Sequence, residues 1–521
     1  MKRTSSVQTA KCESIWATTA KMPVSRRLSK SVQADVCVIG GGIAGLTTAY
    51  LLTKAGKSVA LLEDGRLASG MTQVTSAHLS NQIDDRIAEL ETWHGRDGAR
   101  QAVESHGAAI DFIEATAKQH QIDCDFVRVD GYLFLAPGDL SKILKQELEA
   151  AHRAGLNQVE MIARAPIADF DTGSCLRFPA QARFHPLKYL SALAKLIKEQ
   201  GGRIYTNSHA DHIEGGSPAK IEVGRHTVTA EAVVVATNTP INDLVAIHTK
   251  QAPHMTYVIG ARVPSGSVTD ALYWDTLKAY HYVRLQPFAD GGPAQDAQTD
   301  QKYDLLIVGG EDHKTGQVTD AQLRHARLET WARARFPIVD VAFKWGGQCL
   351  ETIDGLAFIG RNPLDKENVF VATGDSGMGL THGTIAGMLL SDLILGRDNP
   401  WEKLYDPARK TVFAANIYIK ENLNVAAQYA DYLTAGEVAS VDEVQCGSGA
   451  LLRRGLSKVA VYRDDVGKIH ELSAVCPHLQ CIVHWNPAET TWDCPCHGSR
   501  FTALGKVVNG PANVDLSPSK D

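Results

Sequence analysis

No run of about 18 uninterrupted apolar residues occurs in the 521-residue chain, so the sequence offers no membrane-spanning helix. An excess of positive charge is also missing. With 53 Lys and Arg against 59 Asp and Glu the formal net charge is -6, which argues against nucleic acid as the main partner, because phosphate binding needs a positive surface. The ten cysteines are scattered or gathered near the C-terminus, which is not the spacing of a secreted disulfide framework. Residues 1–30 are basic and rich in Ser and Thr but have no apolar secretory core. A transit peptide suits that composition; the plainer expectation is a leader, residues 1–33, packed on the next domain through Trp16. A cytoplasmic setting follows as the default. What remains is ordinary for a globular chain, 44% hydrophobic and 21% charged, and the length requires two or more domains.

The most specific residues form two short loops, Cys-Pro-His-Leu-Gln-Cys at 476–481 and Cys-Pro-Cys-His-Gly-Ser at 494–499. A Cys-x-His in one loop with a Cys-x-x-His in the next supplies two soft and two imidazole donors. The pattern resembles the Rieske domain family, whose [2Fe-2S] centre has two His replacing two Cys on one iron. The resemblance implies ligation by Cys476 and Cys494 on one iron and by His478 and His497 on the other. It also implies a loop-to-loop disulfide between Cys481 and Cys496, and a histidine-bound iron exposed at the domain tip. Structural zinc is the competing reading, since Cys and His at short spacing suit a tetrahedral ion. Two residues depart from the family pattern: Gln480 stands where glycine is usual, and Phe501 where high-potential members place a tyrosine whose hydroxyl bonds a ligand sulfur.

Near the other end, residues 34–63 read as a buried strand, Gly40-x-Gly42-x-x-Gly45, a helix, and a second strand ending at Glu63. Gly40 makes the tight turn, Gly42 admits a pyrophosphate close to the backbone around Ile43 and Ala44, and Gly45 lets helix and strand pack. Glu63 is placed to accept from ribose hydroxyls. A second such fingerprint is lacking, so an organic substrate rather than NADH is the expected reductant. The segment 369–390 reads as strand, glycine loop and helix, and resembles the closing flavin motif of the D-amino acid oxidase (DAO) superfamily. That likeness implies FAD held by Gly374, Gly377, Gly379, Thr381 and His382, with Thr72, Thr75 and His78 beneath the flavin. A covalent link through His78 is conceivable; a polar contact is the simpler expectation.

Segments of roughly 81–175 and 250–340 interrupt this fold as the DAO substrate domain does. The expected fold is α/β: a Rossmann-like FAD domain over 34–408 with an interleaved α+β substrate domain, a helical linker at 409–436, and a small all-β Rieske domain at 437–521. Short strands are expected at Ala450–Leu452, Val459–Arg463, His470–Ser473 and Phe501–Val508. The substrate's C–H bond must face the flavin. Arg284 is a candidate bidentate partner for a substrate carboxylate, with His281, Tyr282 or His313 fixing an amine or taking a proton; the bland reading is a packed strand face. His209 and His212 lack a third ligand and read as a turn.

Together these features resemble DAO-type oxidoreductases fused to a C-terminal Rieske domain. The expected activity is dehydrogenation of an amine or amino acid, with electrons passed singly through the cluster to an external acceptor. A relay without its own substrate and an oxygen-using oxidase are the alternatives. A ring-hydroxylating oxygenase is disfavoured, because no 2-His-1-carboxylate triad can be picked out.

Overall fold

In a computed structural model of the chain, residues 13–242, 247–288, 302–318 and 320–519 are described; the first twelve residues of the expected leader lie outside them. The apolar run of Val32–Ile39 becomes a central strand of a sheet ordered Phe358–Arg361, Val369–Thr373, His226–Val235, Val32–Ile39, Val59–Leu62, Arg203–Tyr205. The pairings from Val369–Thr373 to Arg203–Tyr205 are parallel. Such strands are covered on both faces and so read as continuous hydrophobic runs. Helices Ile43–Lys54 and Gly379–Ile394 pack against each other, and each starts directly after a strand of this sheet and its glycine turn.

A second, nine-stranded sheet runs Asp340–Thr352, Gln251–Pro264, Tyr303–Lys314, Tyr282–Gln286, Leu272–Asp275, Val127–Phe134, Cys175–Arg183, His78–Leu79, with Glu160–Ile162 paired to Cys175–Arg183. It therefore extends past the expected limits at 175 and 340, because Cys175–Arg183 pairs with Val127–Phe134 and Asp340–Thr352 pairs with Gln251–Pro264. Tyr282 lies opposite Gly309. A Cβ on Gly309 would come within 2.0 Å of the Tyr282 ring, so the missing side chain lets the ring lie across the neighbouring strand. The helix Ile87–Gln119 is broken at Gly95, whose φ is +70°. Trp16 of the leader is fully buried, and its indole N–H donates to the Thr75 carbonyl at 2.7 Å.

The linker is a 3-10 turn at Val412–Ala414, a helix at Ala415–Gln428 and a second 3-10 turn at Tyr429–Leu433. Its start is clamped: Arg409 pairs bidentately with the buried Asp354 at 2.7 and 2.9 Å. The C-terminal domain holds two small antiparallel sheets, Ser448–Arg454, Ser457–Arg463, Ile469–Ser473 and His484–Asn486, Thr491–Asp493, Arg500–Thr502, Val507–Asn509. The strand expected over Phe501–Val508 is two strands, divided by a turn at Gly505 with φ of +82°.

Candidate functional site

One cavity of about 1350 Å³ links the first glycine loop to the last. Gly40, Gly42, Ile43, Ala44 and Glu63 line it, as do Thr72, Thr75 and His78. Glu63 accepts from the backbone N–H of Gly41 at 2.7 Å and of Gly65 at 3.0 Å, and burial pushes its carboxyl up. Gly45 does not face the cavity. A Cβ there would sit 1.9 Å from the Gly40 carbonyl oxygen, so its part is to let the helix lie on the turn. At the far end Gly377, Gly379 and His382 line the space. Gly374 and Thr381 do not: Gly374 is pressed on Thr352, and the Thr381 hydroxyl turns back to His106 Nδ1 at 2.8 Å. His78 is driven down to about 3 by burial and His382 to about 4, so both present neutral imidazoles. Glycine turns opening onto two helix N-termini, with a carboxylate at one end, form the donor set a dinucleotide needs.

Beyond the glycine loops the cavity is walled by Trp274, Tyr280, Tyr282, Asp84, Asp312, Glu351 and Asp375. Burial pushes the Asp84 carboxyl up to about 8 and those of Asp312 and Asp375 up to about 6, and lifts Glu351 well above its usual range. None of the four makes an ion pair among the described residues. Asp312 Oδ1 is buried without a hydrogen-bond partner. Gly377, at φ +72°, makes room for Asp84, whose Oδ2 would lie 1.7 Å from a Cβ there. Tyr282 bonds Thr256 at 2.7 Å, and His313, also at the cavity, bonds the Tyr257 hydroxyl at 3.0 Å.

Two expected catalytic residues are elsewhere. Arg284 shares the Tyr282 face but sits two residues farther along the strand, under the leader. It is fully buried, donates to the carbonyls of Ala77 at 2.8 Å and Phe184 at 3.0 Å and to Gln286, and lies over the Trp16 ring. It is not available to a substrate carboxylate. His281 points the opposite way, stacking on Trp331 at 4.2 Å and bonding Asp275 at 2.7 Å.

In the C-terminal domain the four expected metal ligands fall into two close pairs. Cys476 and Cys494 are hydrogen-bonded to each other, and the His478 and His497 rings lie 5.0 Å apart and perpendicular. His497 Nδ1 is buried with no hydrogen-bond partner, an imidazole nitrogen left over for a metal. The Cys476 thiol is held below its usual value first by the Cys494 hydrogen bond, then by the backbone N–H groups of His478 and Leu479 and by the Ser499 hydroxyl. Such a nest suits a thiolate ligand. Cys481 and Cys496 form a disulfide and are both buried. Tying up these two sulfurs removes the Cys481, Cys494 and Cys496 group that lies close enough to hold zinc, and the donors that remain fit a mixed thiolate–imidazole iron pair. Gln480, the departure from glycine, has φ of +62°. It takes the left-handed turn a glycine would occupy, and its carbonyl accepts from the Tyr432 hydroxyl at 2.5 Å.

The histidine edge is not exposed as expected. It is turned onto the larger N-terminal part of the chain, where the buried His248 ring lies 5.0 Å from His478 and 6.0 Å from His497. Gln348, which lines the glycine-loop cavity, donates to the Gly498 carbonyl at 2.8 Å. A Cβ on Gly498 would come within 2.4 Å of Pro253. His248 and Gln348 escaped the sequence reading, because each stands alone in its segment; among the acids, Asp312 sits in the polar run Glu311-Asp312-His313 and Asp84 beside Asp85, while Glu351 has no such neighbour.

Family models place this geometry among known proteins. The model for FAD dependent oxidoreductases, DAO, matches residues 35–393, and that for the Rieske [2Fe-2S] domain matches residues 434–518. A Bacillus subtilis protein named as a Rieske 2Fe-2S iron-sulfur protein, YhfW, is 32% identical over 506 residues, 96% of each chain. Gamma-glutamylputrescine oxidoreductase of Escherichia coli is 29% identical over 387 residues, 71% of this chain and 85% of its own. Among solved structures, glycine oxidase from Geobacillus kaustophilus superposes with a TM-score of 0.60 at 18% identity, over 73% of this chain and 99% of its own, a likeness of fold.

Proposed function

The chain belongs to the DAO family of FAD-dependent oxidoreductases and carries a C-terminal Rieske [2Fe-2S] domain, and from that premise we propose that it dehydrogenates a cationic amine. When bound, FAD supplies hydride acceptance, and the cluster supplies one-electron carriage toward an external acceptor. The observation that carries the substrate reading is Asp312 Oδ1, buried and without a hydrogen-bond partner in a cavity where Asp84, Glu351 and Asp375 also make no ion pair among the described residues. A substrate ammonium would provide the missing partner. The amino-acid alternative loses its support with Arg284, which is spent on backbone carbonyls. The name of the E. coli relative, that of an enzyme acting on a putrescine derivative, agrees with an amine.

In this reading Trp274 and Tyr282 wall the apolar part of the substrate, while Asp312 Oδ1 holds its nitrogen. Asp84, whose carboxyl lies at about 8, is matched to take the ammonium proton near neutral pH, which frees the nitrogen lone pair before the C–H bond breaks. His478 and His497 are seated against His248 of the flavin domain, which supports an internal route for electrons. A cytoplasmic setting belongs to the same reading, with burial shielding the disulfide from cellular thiols. The test is anaerobic mixing with a panel of mono-, di- and N-acylated polyamines and amino acids. Flavin bleaching by amines, followed by the cluster's paramagnetic signal, is the expected result. Bleaching by amino acids alone would overturn the substrate assignment, and rapid peroxide release from a cluster-free variant would favour an oxidase.

A further inference from the structure

We propose that residues 507–513 of the Rieske domain form part of the FAD-binding site, so that holding the cofactor and docking the iron–sulfur domain are one linked equilibrium. The inference rests on FAD filling the glycine-lined cavity. That cavity is closed on one side by Asn509, Gly510 and Asn513, residues more than a hundred positions beyond the end of the flavin-domain match.

The segment is pinned at both ends to parts of the flavin domain that line the same space. At the ribose end, Asn513 Nδ2 donates to the Ala210 carbonyl at 3.0 Å and its own carbonyl meets His209 Nε2 at 3.1 Å. The other nitrogen of His209 lies 3.3 Å from Asp64, next to the ribose acid Glu63. The His-Ala-Asp-His stretch that reads as a plain turn in sequence is thus the seat for a distant loop. At the flavin end, Asn509 Nδ2 donates to Gln348 Oε1 at 2.9 Å, and Gln348 reaches on to the Gly498 carbonyl of a ligand loop. Between these anchors Gly510 lies over Thr239 and Ile241.

A loop bonded at both ends of a cofactor channel closes it only when the domain is seated. By reciprocity, whatever FAD gains from the seated domain, the seating gains from FAD. Mere domain packing makes no such demand.

Hydrogen exchange on the full-length, cluster-loaded chain, with and without FAD, separates the two cases. Exchange across 507–513 should slow when FAD is added. In parallel, FAD is titrated into the deflavinated double variant Asn509→Ala, Asn513→Ala, with iron content and the cluster's paramagnetic spectrum as the check on folding. The dissociation constant should rise about tenfold, inside the usual range of coupling between sites, while the spectrum keeps its shape. Exchange at 507–513 that ignores FAD would overturn the proposal, as would an affinity within twofold of the unmodified chain. If the double variant loses its cluster, the exchange measurement on the unmodified chain decides alone. Failure of any amine to reduce the flavin would leave both readouts intact and would bear only on the substrate.

Discussion

In the Rieske domain the buried Asp493 accepts from Arg500 at 3.1 Å, Thr491 at 2.7 Å and Asn486 at 2.9 Å. In the flavin domain the acids around the cavity, Asp84, Asp312, Glu351 and Asp375, are also withdrawn from water, yet no cation meets them among the described residues. Asp493 is satisfied within its own sheet, whereas the cavity acids are left open. Since an unpaired buried charge is costly, the open set marks where a ligand belongs, and the closed set marks where the fold is held.

The largest test of that contrast removes the closed set's cation. Arg500→Met strands Asp493 and should cost the Rieske domain about 3–5 kcal/mol, read as a lower temperature for loss of the cluster's absorbance. If the cost is below about 1 kcal/mol, the pair is not what holds that sheet.

The open set should behave in the opposite sense. A carboxyl raised in the folded state, such as Asp84 at about 8 against an unfolded value of 3.8, gives stability that is full below the unfolded value and lost as pH rises through the folded one. Asp84→Asn should therefore raise thermal stability at pH 8 and change little at pH 4, in scans of substrate-free protein. Binding follows the same ionisation: the KM of a cationic amine should fall between about pH 6 and 8, as these acids charge, while the inhibition constant of a neutral isostere stays flat. Asp312→Asn should flatten the lower part of that slope, near pH 6, and raise KM by roughly tenfold, the loss of one charge-assisted hydrogen bond of about 1.5 kcal/mol.

Smaller effects belong to the metal loops. Phe501 is fully buried in the core beside the ligand loops, and Phe501→Tyr adds a donor. It should raise the midpoint by roughly 40 mV, the equivalent of about 1 kcal/mol in a one-electron couple; an unchanged voltammogram would reject a hydrogen bond to sulfur. Gln480→Gly relieves the left-handed strain at φ +62° but adds unfolded-state freedom. A gain of only about 0.5 kcal/mol in denaturant melts is expected.

What the sequence made legible was chemistry written in neighbouring residues. The Gly40–Gly45 fingerprint and the two Cys/His loops carry their function within a few positions, and the fold brings each set together. Tyr282 and Arg284, two residues apart on one strand, share a face. That spacing could not say which end of the strand meets the cavity, because that depends on Trp16 and Ala77 covering Arg284 from far away in the chain. The inward seating of His478 and His497 was invisible for the same reason: His248 and Gln348 have no local signature, and the contact exists only once two domains meet.

Gly498 concentrates two duties in one absent side chain. Its left-handed φ of +80° shapes the loop that carries His497, and its bareness lets that loop rest on Pro253 and Gln348. Any methyl group there would disturb the loop that carries His497 and push it off Pro253 and Gln348 in the same stroke. Gly498 is thus one place where a substitution strikes ligand loop and domain seat together, while Gln348 offers a place where seating can be weakened with the ligands left alone.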